Sequence, residues 1–379
     1  MITKEYFPLG IAEGKAFCNR LTERKQLLAN IQTGMHTLIT SARRHGKSSI
    51  ILFVLQNTKV LYADIDLFVT VDAKSVEKQL LKGVKQLVNK VSNTIEQTIH
   101  ILNDYIKNLS SKWIIGVKGI NIELIPEKIN DPADTIMEAL LMLDNLLSKK
   151  QTRAVLFIDE FQEIGEFTDC RGIEGAIRHI AQKTKYLTFI FSGSNRRMLL
   201  QMFKDRSRPL YKLCDHIILD KIATQHYIKH INHAAKLKWH KTLPKNILET
   251  IFSITERHPY YVNALCNKLW GKFDKITSAQ EIYDTWQKYV AIERPNVIKE
   301  LSLLSTSQLK LIIAIASGMQ TKLTSKEFLS MVDLTSATVV QALNVLTGKD
   351  YIYLDEQKAY NLIDPLIKTT LQIHYQDYF

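Results

Sequence analysis

The chain has 379 residues, of which 46% are hydrophobic and 23% are charged, and its formal net charge is +12 at pH 7. This length predicts about two or three domains, and the composition indicates a soluble globular protein. Apolar runs such as "IILFVL" and "LIIAIA" fall well short of the roughly 20 residues that a bilayer helix needs, and "MITKEYFPLG" lacks a secretion-signal pattern, so neither a membrane segment nor export is expected.

The first predicted elements are a strand, a loop and a helix. "HTLITS" (residues 36–41) reads as a short buried strand, and "GKSSIILFVLQ" reads as the helix after it. A second strand, "KVLYADID", ends in carboxylates, and a long stretch from Leu67 to Lys150 is mostly helical by its apolar spacing. Within that stretch, "WIIGVKGINIELIP" alternates apolar and polar residues with glycines, which predicts a small hairpin.

Three further strands are predicted in the middle of the chain. "RAVLFIDEFQEI" is an apolar strand that stops on acids, "YLTFIFSGSN" is an apolar strand with a polar tip, and "DHIILDKI" is a fifth strand. Strands that alternate with helices predict an α/β fold with a parallel sheet covered on both faces. Ligands bind at the carboxyl ends of such strands, where the polar tips lie.

The rest of the chain reads as two helical modules. From about Ala223, "TQHYIKHINHAAKL", "PKNILETIFSITER" and "HPYYVNALCNKLWGKF" predict three helices of a lid subdomain. From near Asn296, three helices with Ser or Thr caps and two short strands predict a winged helix-turn-helix. The predicted domains are therefore a P-loop NTPase core at residues 1–222, a helical lid at 223–295 and a winged helix domain at 296–379.

The loop between the first strand and its helix matches the phosphate-binding pattern G-x-x-x-x-G-K-[ST], except that serine replaces the first glycine. The matching residues are Ser41, Ala42, Arg43, Arg44, His45, Gly46, Lys47 and Ser48, followed by Ser49. In this pattern, backbone amides and a helix N-terminus face phosphate oxygens, the lysine adds a charge, and the hydroxyl holds Mg²⁺. The alternative is a basic surface turn that happens to contain GKS.

Two acids at the end of "VLFIDE" fit the same chemistry. Asp159 is expected to hold the metal through water, and Glu160 to orient and deprotonate the attacking water. The alternative is a pair of solvated acids at a strand end, but their position after a buried strand downstream of the GKS loop argues against it. Loop and acids together predict binding of ATP or GTP with Mg²⁺.

The polar tip of the next strand carries Ser192, Ser194 and Asn195, which are expected to sense the γ-phosphate or place water, unless they form only a turn. The segment that follows, residues 195–212, carries six basic residues and one acid. An arginine there is a candidate arginine finger. The alternative is a solvated basic helix face. The candidates are Arg196, Arg197, Arg206 and Arg208.

The lid histidines and the cysteines are not spaced as metal sites or disulfide frameworks usually are. His226, His230 and His233 recur at helical spacing, but no acid or cysteine lies beside them, so a packing or surface role is expected. The four cysteines are scattered without a CxxC spacing, which argues against a zinc site and a disulfide framework and fits a reducing cytoplasm. They are Cys18, Cys170, Cys214 and Cys266.

Several separated motifs resemble the archaeal-type P-loop ATPases of the AAA+/STAND group: "FCNRLTERKQL", "SARRHGKSS", "FIDEFQEI", "FSGSN", "RPLY", "HPYY" and "YNLIDPLI". The resemblance spans nearly the whole chain. It implies that Arg20 and Glu23 lie close to the nucleotide, and that Pro259 belongs to a lid pattern usually written G-x-P. Here Arg257 replaces that glycine, and Arg257 or His258 is a candidate phosphate sensor. The alternative is a purely structural lid role for Pro259 and the tyrosines beside it. Relatives with a nuclease-like extension exist, but no such domain is expected after Phe379.

The winged helix is not favoured as a DNA reader. "TSATVVQALNVLTGKD" offers one lysine against one aspartate, and the wing carries two acids against one lysine, whereas duplex binding depends on Lys and Arg contacts to phosphate. We therefore expect a Mg²⁺-dependent ATPase switch whose nucleotide state repositions the lid and the winged helix domain, with a protein partner at that domain. The alternative is a weakly hydrolysing, DNA-associated adaptor. Oligomerisation stays open.

Overall fold

The computed structural model describes residues 2–91, 95–107, 113–118, 121–126, 131–167 and 170–375. Its internal contacts divide the chain into two compact units. The lid–wing unit comprises Met1–Arg20, Ala42–Ser49 and Asp220–Phe379, and the sheet unit comprises Leu21–Ser41 and Ile50–Leu219.

Helices and strands alternate in the first half of the chain, and helices dominate the second. The first half runs in the order α1 (Ile2–Tyr6), α2 (Leu21–Thr33), β1 (Thr37–Thr40), α3 (Lys47–Gln56), β2 (Leu61–Asp66), α4 (Ala73–Val91), α5 (Ile95–Ile106), β3 (Trp113–Lys118), β4 (Asn121–Pro126), α6 (Pro132–Lys149), β5 (Ala154–Asp159), α7 (Cys170–Ala181), β6 (Leu187–Gly193), α8 (Arg196–Lys204) and β7 (Asp215–Ile218). The second half runs in the order α9 (Thr224–Trp239), α10 (Lys245–Thr255), α11 (Pro259–Lys272), α12 (Ala279–Leu301), α13 (Thr306–Ala316), α14 (Lys326–Val332), α15 (Ser336–Gly348), β8 (Ile352–Leu354), β9 (Tyr360–Leu362) and α16 (Pro365–His374).

A five-stranded parallel sheet forms the centre of the sheet unit. Its strand order is β2-β5-β6-β1-β7, and every pairing is parallel. The strands β5 and β6 are apolar and buried almost throughout, as expected for central strands covered on both faces. The α/β fold class and the five predicted strands are confirmed.

Amphipathic helices cover this sheet. The apolar residues of α4 recur every three or four positions, so they share one face. That face packs against β2 and α6, and α6 in turn packs against α7. The residues Val76, Leu80, Val84 and Leu87 belong to the same buried cluster as Leu156 of β5.

The predicted hairpin within the long helical stretch is present. Strands β3 and β4 pair antiparallel, with Ile115 opposite Leu124, and they form a separate two-stranded sheet. Its turn, residues 119–120, lies outside the described part of the chain. Trp113 and Leu124 are buried in the core of the sheet unit, which explains why this hairpin stays on the domain.

The lid contains a fourth helix that was not predicted from the sequence. Helix α12 begins with a capping box, in which the Ser278 side chain accepts from the Glu281 backbone and the Glu281 side chain accepts from the Ser278 backbone. The helix runs through Pro295, and so through the position where the lid was predicted to end. The three-domain division stays a prediction.

The winged helix domain has its predicted three helices and wing, followed by a helix that was not predicted. Helices α13 and α15 pack together, and β8 pairs antiparallel with β9. Helix α16 then packs against α13 and also against α12 and α10 of the lid. Its N-cap is Asp364, whose side chain accepts from the Leu366 and Ile367 amides.

Within the described ranges, no single helix has the length and apolar composition needed to cross a bilayer. The bent pair formed by α14 and α15 passes that test on length and composition only.

Candidate functional site

The backbone of the phosphate loop turns sharply before α3. The loop follows β1, and Gly46 has a φ of 91° while Arg44 has a φ of 61°. No atom lies within 4 Å of the position that a Cβ of Gly46 would occupy. Glycine is therefore favoured there by the backbone angle and not by lack of space. Helix α3 begins at Lys47, so the loop leads directly into a helix N-terminus, as the phosphate-loop pattern requires.

Arg20 holds the loop from the entry segment of the lid–wing unit. Its guanidinium donates to the carbonyl of Asp220 at 2.6 Å and to the carbonyl of His45 at 3.0 Å. Arg20 is buried, with 5% of its surface exposed. The backbone amide of Ala12 also donates to Ser49 Oγ at 3.0 Å. The residue that the family resemblance puts near the nucleotide thus contacts the loop backbone.

Two loop side chains face the lid. The Arg44 guanidinium lies 4.3 Å from the ring centroid of Tyr260, a cation–π contact. The buried His45 ring packs edge-on against the His258 ring, with 4.7 Å between centroids. Neither ring nitrogen of His45 has a hydrogen-bond partner among the described residues.

Burial keeps this histidine pair neutral. It lowers the pKa of His45 well below its usual range, and the charge that His258 would carry lowers it further. Burial likewise lowers the pKa of His258 to about 3, with Lys221 as the next cause. Both imidazoles are therefore uncharged near pH 7, so they contact each other by packing and not as cations.

The lid segment before α11 has an unusual backbone. Glu256 and Arg257 both adopt positive φ, 48° and 58°. Pro259 occupies the first turn of α11, with His258 as the N-cap residue. The guanidinium of Arg257, a predicted sensor candidate, lies 3.3 Å from Thr224 Oγ1 of the same lid. Position 257 is thus a left-handed turn that would suit the glycine of the G-x-P pattern.

In the sheet unit, the acids at the end of β5 are held by residues at the end of β6. The Ser192 hydroxyl donates to Asp159 Oδ1, which also accepts from the Glu160 amide at 3.0 Å. Glu160 Oε2 accepts from the Ser194 amide at 3.0 Å and from Ser194 Oγ at 2.8 Å. Glu160 has a φ of 50°, a strained angle of the kind that clusters at functional sites.

Gln162 is a further contact of Glu160 that was not predicted from the sequence. Its Nε2 donates to Glu160 Oε2 at 2.5 Å. A Cβ at Gly193 would lie 1.8 Å from Gln162 Oε1, so glycine is needed there to let Gln162 approach. The sequence signal was present, since Gln162 and Gly193 belong to "FQEI" and "FSGSN", but nothing in the spacing links the two.

The same sheet edge is acidic. Asp66, the last residue of β2, lies in register with Asp159 of β5. Burial raises the pKa of Asp66, and the charges of Asp159 and Glu160 raise it further. Burial also raises the pKa of Glu163, with Glu160 contributing. Carboxylates that raise one another's pKa favour a bound cation, because its charge offsets their repulsion.

Two of the remaining candidate residues after β6, Asn195 and Arg208, have structural partners. Asn195 is the N-cap of α8, and its Oδ1 accepts from the Met198 amide at 3.1 Å. Arg208 pairs with the buried carboxylate of Glu174. Of the arginine-finger candidates, Arg197 and Arg206 are exposed.

The histidine stripe of the lid packs on aromatic rings. The rings of His230 and His233 lie 5.7 Å and 5.5 Å from the Tyr6 ring, and His230 Nε2 lies 3.2 Å from the Tyr6 carbonyl. In the part of the chain that the structure describes, no group of three or more His, Cys, Asp or Glu side chains is arranged to hold a metal ion.

Comparisons with known proteins bear on the fold. Residues 298–372 match the family model described as a probable winged helix domain. The Walker-type ATPase of Pyrococcus abyssi superposes with a TM-score of 0.71 at 17% identity, covering 98% of this chain and 100% of that one. The ORC2 protein of Aeropyrum pernix, in ADPNP–ADP complexes, superposes with a TM-score of 0.55 at 12% identity, covering 95% and 96%.

A comparison with curated protein sequences finds no match. The structural likeness and the family model agree with the motif resemblance. The chain therefore has the fold of the archaeal-type Walker P-loop ATPases and carries a winged helix domain at residues 298–372.

Proposed function

We propose that the protein is a Mg²⁺-dependent ATPase that works as a molecular switch. The observation that carries this proposal is Glu160, directly after β5, which has a positive φ and whose carboxylate accepts two hydrogen bonds from Ser194, directly after β6. Strand β1, whose carboxyl end leads into the GKS loop, is the other neighbour of β6 in the same sheet. Parallel strands bring their carboxyl ends to one edge, where ligands of α/β sheets bind.

The residues present suit a triphosphate and a divalent cation. Gly46 gives the loop its left-handed turn, and the loop ends at a helix N-terminus with a lysine. Amides and a lysine in this arrangement favour phosphate oxygens. Asp66 and Asp159 form an acidic edge in which the pKa of Asp66 is raised, and this favours a hard cation with oxygen ligands.

The residues take distinct roles in this proposal. Lys47 and the amides of residues 42–49 bind phosphate, and Arg20 supports the loop carbonyl at His45. Ser48 and Asp159 would hold the metal, Asp159 through water. The Mg²⁺ ion would neutralise charge on the phosphate oxygens.

Glu160 is the proposed general base. It takes a proton from water as the water oxygen attacks the γ-phosphorus, and the bond to the β–γ bridging oxygen breaks to give ADP and phosphate. Ser194 orients the Glu160 carboxylate. Asn195 uses its side-chain oxygen to cap α8, so only its amide nitrogen is proposed to sense the γ-phosphate.

The switch part of the proposal draws on the lid–wing unit. The loop residues Ala42–Ser49 belong to the same compact unit as the lid and the winged helix domain. Pro259 opens α11 directly after His258, which packs on His45 of the loop. A change at the loop on nucleotide binding or hydrolysis is therefore expected to reach the lid and the winged helix domain.

The test compares wild type with Glu160→Gln. We expect wild type to bind ATP and release phosphate only with Mg²⁺, and Glu160→Gln to bind ATP normally while phosphate release falls by about 100-fold or more. Glu166→Gln, an exposed glutamate in the same turn, is the matched control and should behave as wild type. Undiminished phosphate release in Glu160→Gln would refute the assignment of the base.

A second candidate, a weakly hydrolysing DNA-associated adaptor, draws support from the net charge of +12. Helix α15 occupies the position of the recognition helix in the winged helix domain. It contains no charged residue, which argues against contact between this helix and DNA phosphates. Phosphate release measured with and without duplex DNA, together with DNA binding at two salt concentrations, separates the two candidates. Salt-sensitive DNA binding with negligible phosphate release would favour the adaptor.

A further inference from the structure

Two neighbouring residues of the phosphate loop each contact an aromatic or imidazole ring of the lid. Arg44 lies over the face of Tyr260, and His45 packs edge-on against His258. All four residues belong to the lid–wing unit. The loop therefore contacts the lid through two of its side chains.

Both contacts converge on Tyr261. Its ring lies 5.2 Å from the Tyr260 ring in an edge-on arrangement and 4.9 Å from the His258 ring. Tyr261 is 2% exposed, so the ring has little freedom to move independently of these neighbours. A displacement of Arg44 or His45 is thus transmitted to one buried side chain.

Tyr261 in turn contacts the winged helix domain. Its hydroxyl donates to Asp364 Oδ2 at 2.6 Å. The other oxygen of Asp364 accepts from the Leu366 amide at 2.7 Å and from the Ile367 amide at 3.2 Å, which caps α16. The carboxylate therefore joins the lid tyrosine to the first turn of α16. A hydrogen bond to a carboxylate is among the stronger kinds in proteins.

We propose that Arg44 and His45 are positioning residues that couple the occupancy of the phosphate loop to the first turn of α16, through Tyr260, His258, Tyr261 and Asp364. This inference rests on the proposed function, since it needs a nucleotide at the loop.

The direction of the coupling follows from the chemistry of Arg44. A phosphate oxygen binds a guanidinium more strongly than an aromatic face does, so nucleotide draws Arg44 away from Tyr260. Tyr260 and Tyr261 then lose their fixed packing, and the Tyr261–Asp364 bond weakens. Nucleotide binds better to the state in which this bond is broken, and breaking the bond loosens the start of α16.

The electrostatics of Asp364 and a further contact of α16 are consistent with this coupling. Burial raises the pKa of Asp364, whereas the Tyr261 hydrogen bond and the Arg44 charge act in the opposite direction. We call the chain of contacts from Arg44 and His45 to Asp364 the relay. A second contact between the lid and α16 is not part of it, because Lys368 Nζ of α16 donates to Glu256 Oε1 of the lid at 2.6 Å. The winged helix domain therefore stays attached when the relay is broken.

The test uses Tyr261→Phe, which keeps the buried ring and removes the hydroxyl. Hydrogen exchange of the peptide that contains Leu366 and Ile367 is measured with and without ATP and Mg²⁺, and ATP affinity is measured by calorimetry. In wild type, ATP should speed exchange at these amides about tenfold, the effect of one bond to a charged group. In Tyr261→Phe, exchange should already be fast without ATP and respond little to it.

Because coupling between two sites is reciprocal, the relay predicts the direction in which ATP affinity changes in Tyr261→Phe. If nucleotide disfavours the Tyr261–Asp364 bond, removal of that bond must strengthen nucleotide binding, here by up to about tenfold. A residue with a merely structural role would weaken binding or leave it unchanged. Arg44→Lys keeps the charge but loses the planar stacking on Tyr260, so it should shift α16 exchange in the same direction. Tyr283→Phe, an exposed lid tyrosine, is the control.

The outcomes separate the relay from the proposed function. If wild type binds ATP but α16 exchange does not respond, or if Tyr261→Phe responds as wild type does, the relay is wrong and the ATPase proposal stands. If wild type binds no ATP, the proposed function fails and takes the relay with it. Tighter ATP binding with unresponsive exchange in Tyr261→Phe supports the relay.

Discussion

Glu160 and Ser194 are joined by two hydrogen bonds, because Glu160 Oε2 accepts from both the backbone amide and the hydroxyl of Ser194, at 3.0 and 2.8 Å. This double contact fixes the carboxylate of one strand end against the tip of the next strand. Loss of the hydroxyl removes one of the two bonds by which Ser194 orients the proposed base, while the bond from Gln162 stays.

Ser194→Ala should therefore slow phosphate release by about 10- to 100-fold, since small misplacements of a catalytic group have effects of this size. ATP affinity should stay near that of wild type, because Ser194 is not proposed to bind the ground-state nucleotide. Steady-state phosphate release and calorimetry measure the two quantities. Ser207→Ala, an exposed serine of the same unit, is the control, and equal turnover in Ser194→Ala and wild type would argue against the orienting role.

Lys47→Ala should abolish measurable ATP binding, because the only proposed side-chain cation at the start of α3 is lost. Isothermal calorimetry with ATP and Mg²⁺ checks this expectation. Lys185→Ala removes an exposed lysine elsewhere in the chain and should bind ATP normally. An unchanged ATP affinity in Lys47→Ala would show that the loop is a basic surface turn.

Arg20→Ala should destabilise the lid–wing unit by about 2 kcal/mol, because the Asp220 and His45 carbonyls lose a charged donor. ATP affinity should fall as the loop backbone becomes less ordered. Arg20→Lys should show most of both effects, since an ammonium on a flexible stem does not reproduce the planar fork that spans two carbonyls. Urea denaturation and calorimetry report the changes, with Lys25→Ala as the surface control. Full recovery in Arg20→Lys would mean that charge alone matters.

Arg208→Ala should destabilise the sheet unit by about 3–5 kcal/mol, because Glu174 is fully buried and would lose its charged partner. Replacing both residues with leucine should cost less than the single change. If Arg208 acts only through Glu174, the phosphate release expected of the folded Arg208→Ala variant stays near that of wild type. A large specific loss of turnover in the folded variant would instead assign Arg208 to catalysis.

The same pair predicts a pH dependence. Burial raises the pKa of Glu174, whereas the charge of Arg208 and its hydrogen bond lower it. Between the unfolded and the folded pKa the native state binds more protons, so the stability contribution is present at low pH and is lost as pH rises. Without Arg208 the pKa of Glu174 in the folded state rises further. The pH range over which stability falls then becomes wider. As pH rises above the unfolded pKa of glutamate, Arg208→Ala should therefore lose more stability than wild type, as measured by urea denaturation.

The sheet was predictable because its strands are short apolar runs bounded by polar tips. Strands β5 and β6 are buried on both faces, so their sequences show the continuous apolar pattern of a parallel sheet. Helix α12 was missed although Ser278 and Glu281 give a capping-box signal, because Pro295 usually ends a helix but here lies inside one. For α16, the Asp364–Pro365 pair was the available signal.

The candidate site was predictable as far as motifs reach. The loop residues and the β5 acids follow from local patterns, whereas the contacts that hold them join residues far apart in the sequence. Tyr261 and Asp364 are separated by 103 positions, and no spacing rule connects them. Gln162 and Gly193 likewise meet only because β5 and β6 are neighbours. Such contacts depend on tertiary packing, which the sequence pattern does not specify.

The left-handed backbone at Arg257 bears on protein engineering. A non-glycine residue at positive φ costs roughly 1 kcal/mol or more, so this chain accepts a conformational penalty to place an arginine at that turn. Glycine at position 257 would relieve the penalty but would also remove the guanidinium beside Thr224 and increase the entropy of the unfolded chain. A single substitution at position 257 therefore changes both the stability of the fold and the contact between the guanidinium and Thr224 in the lid.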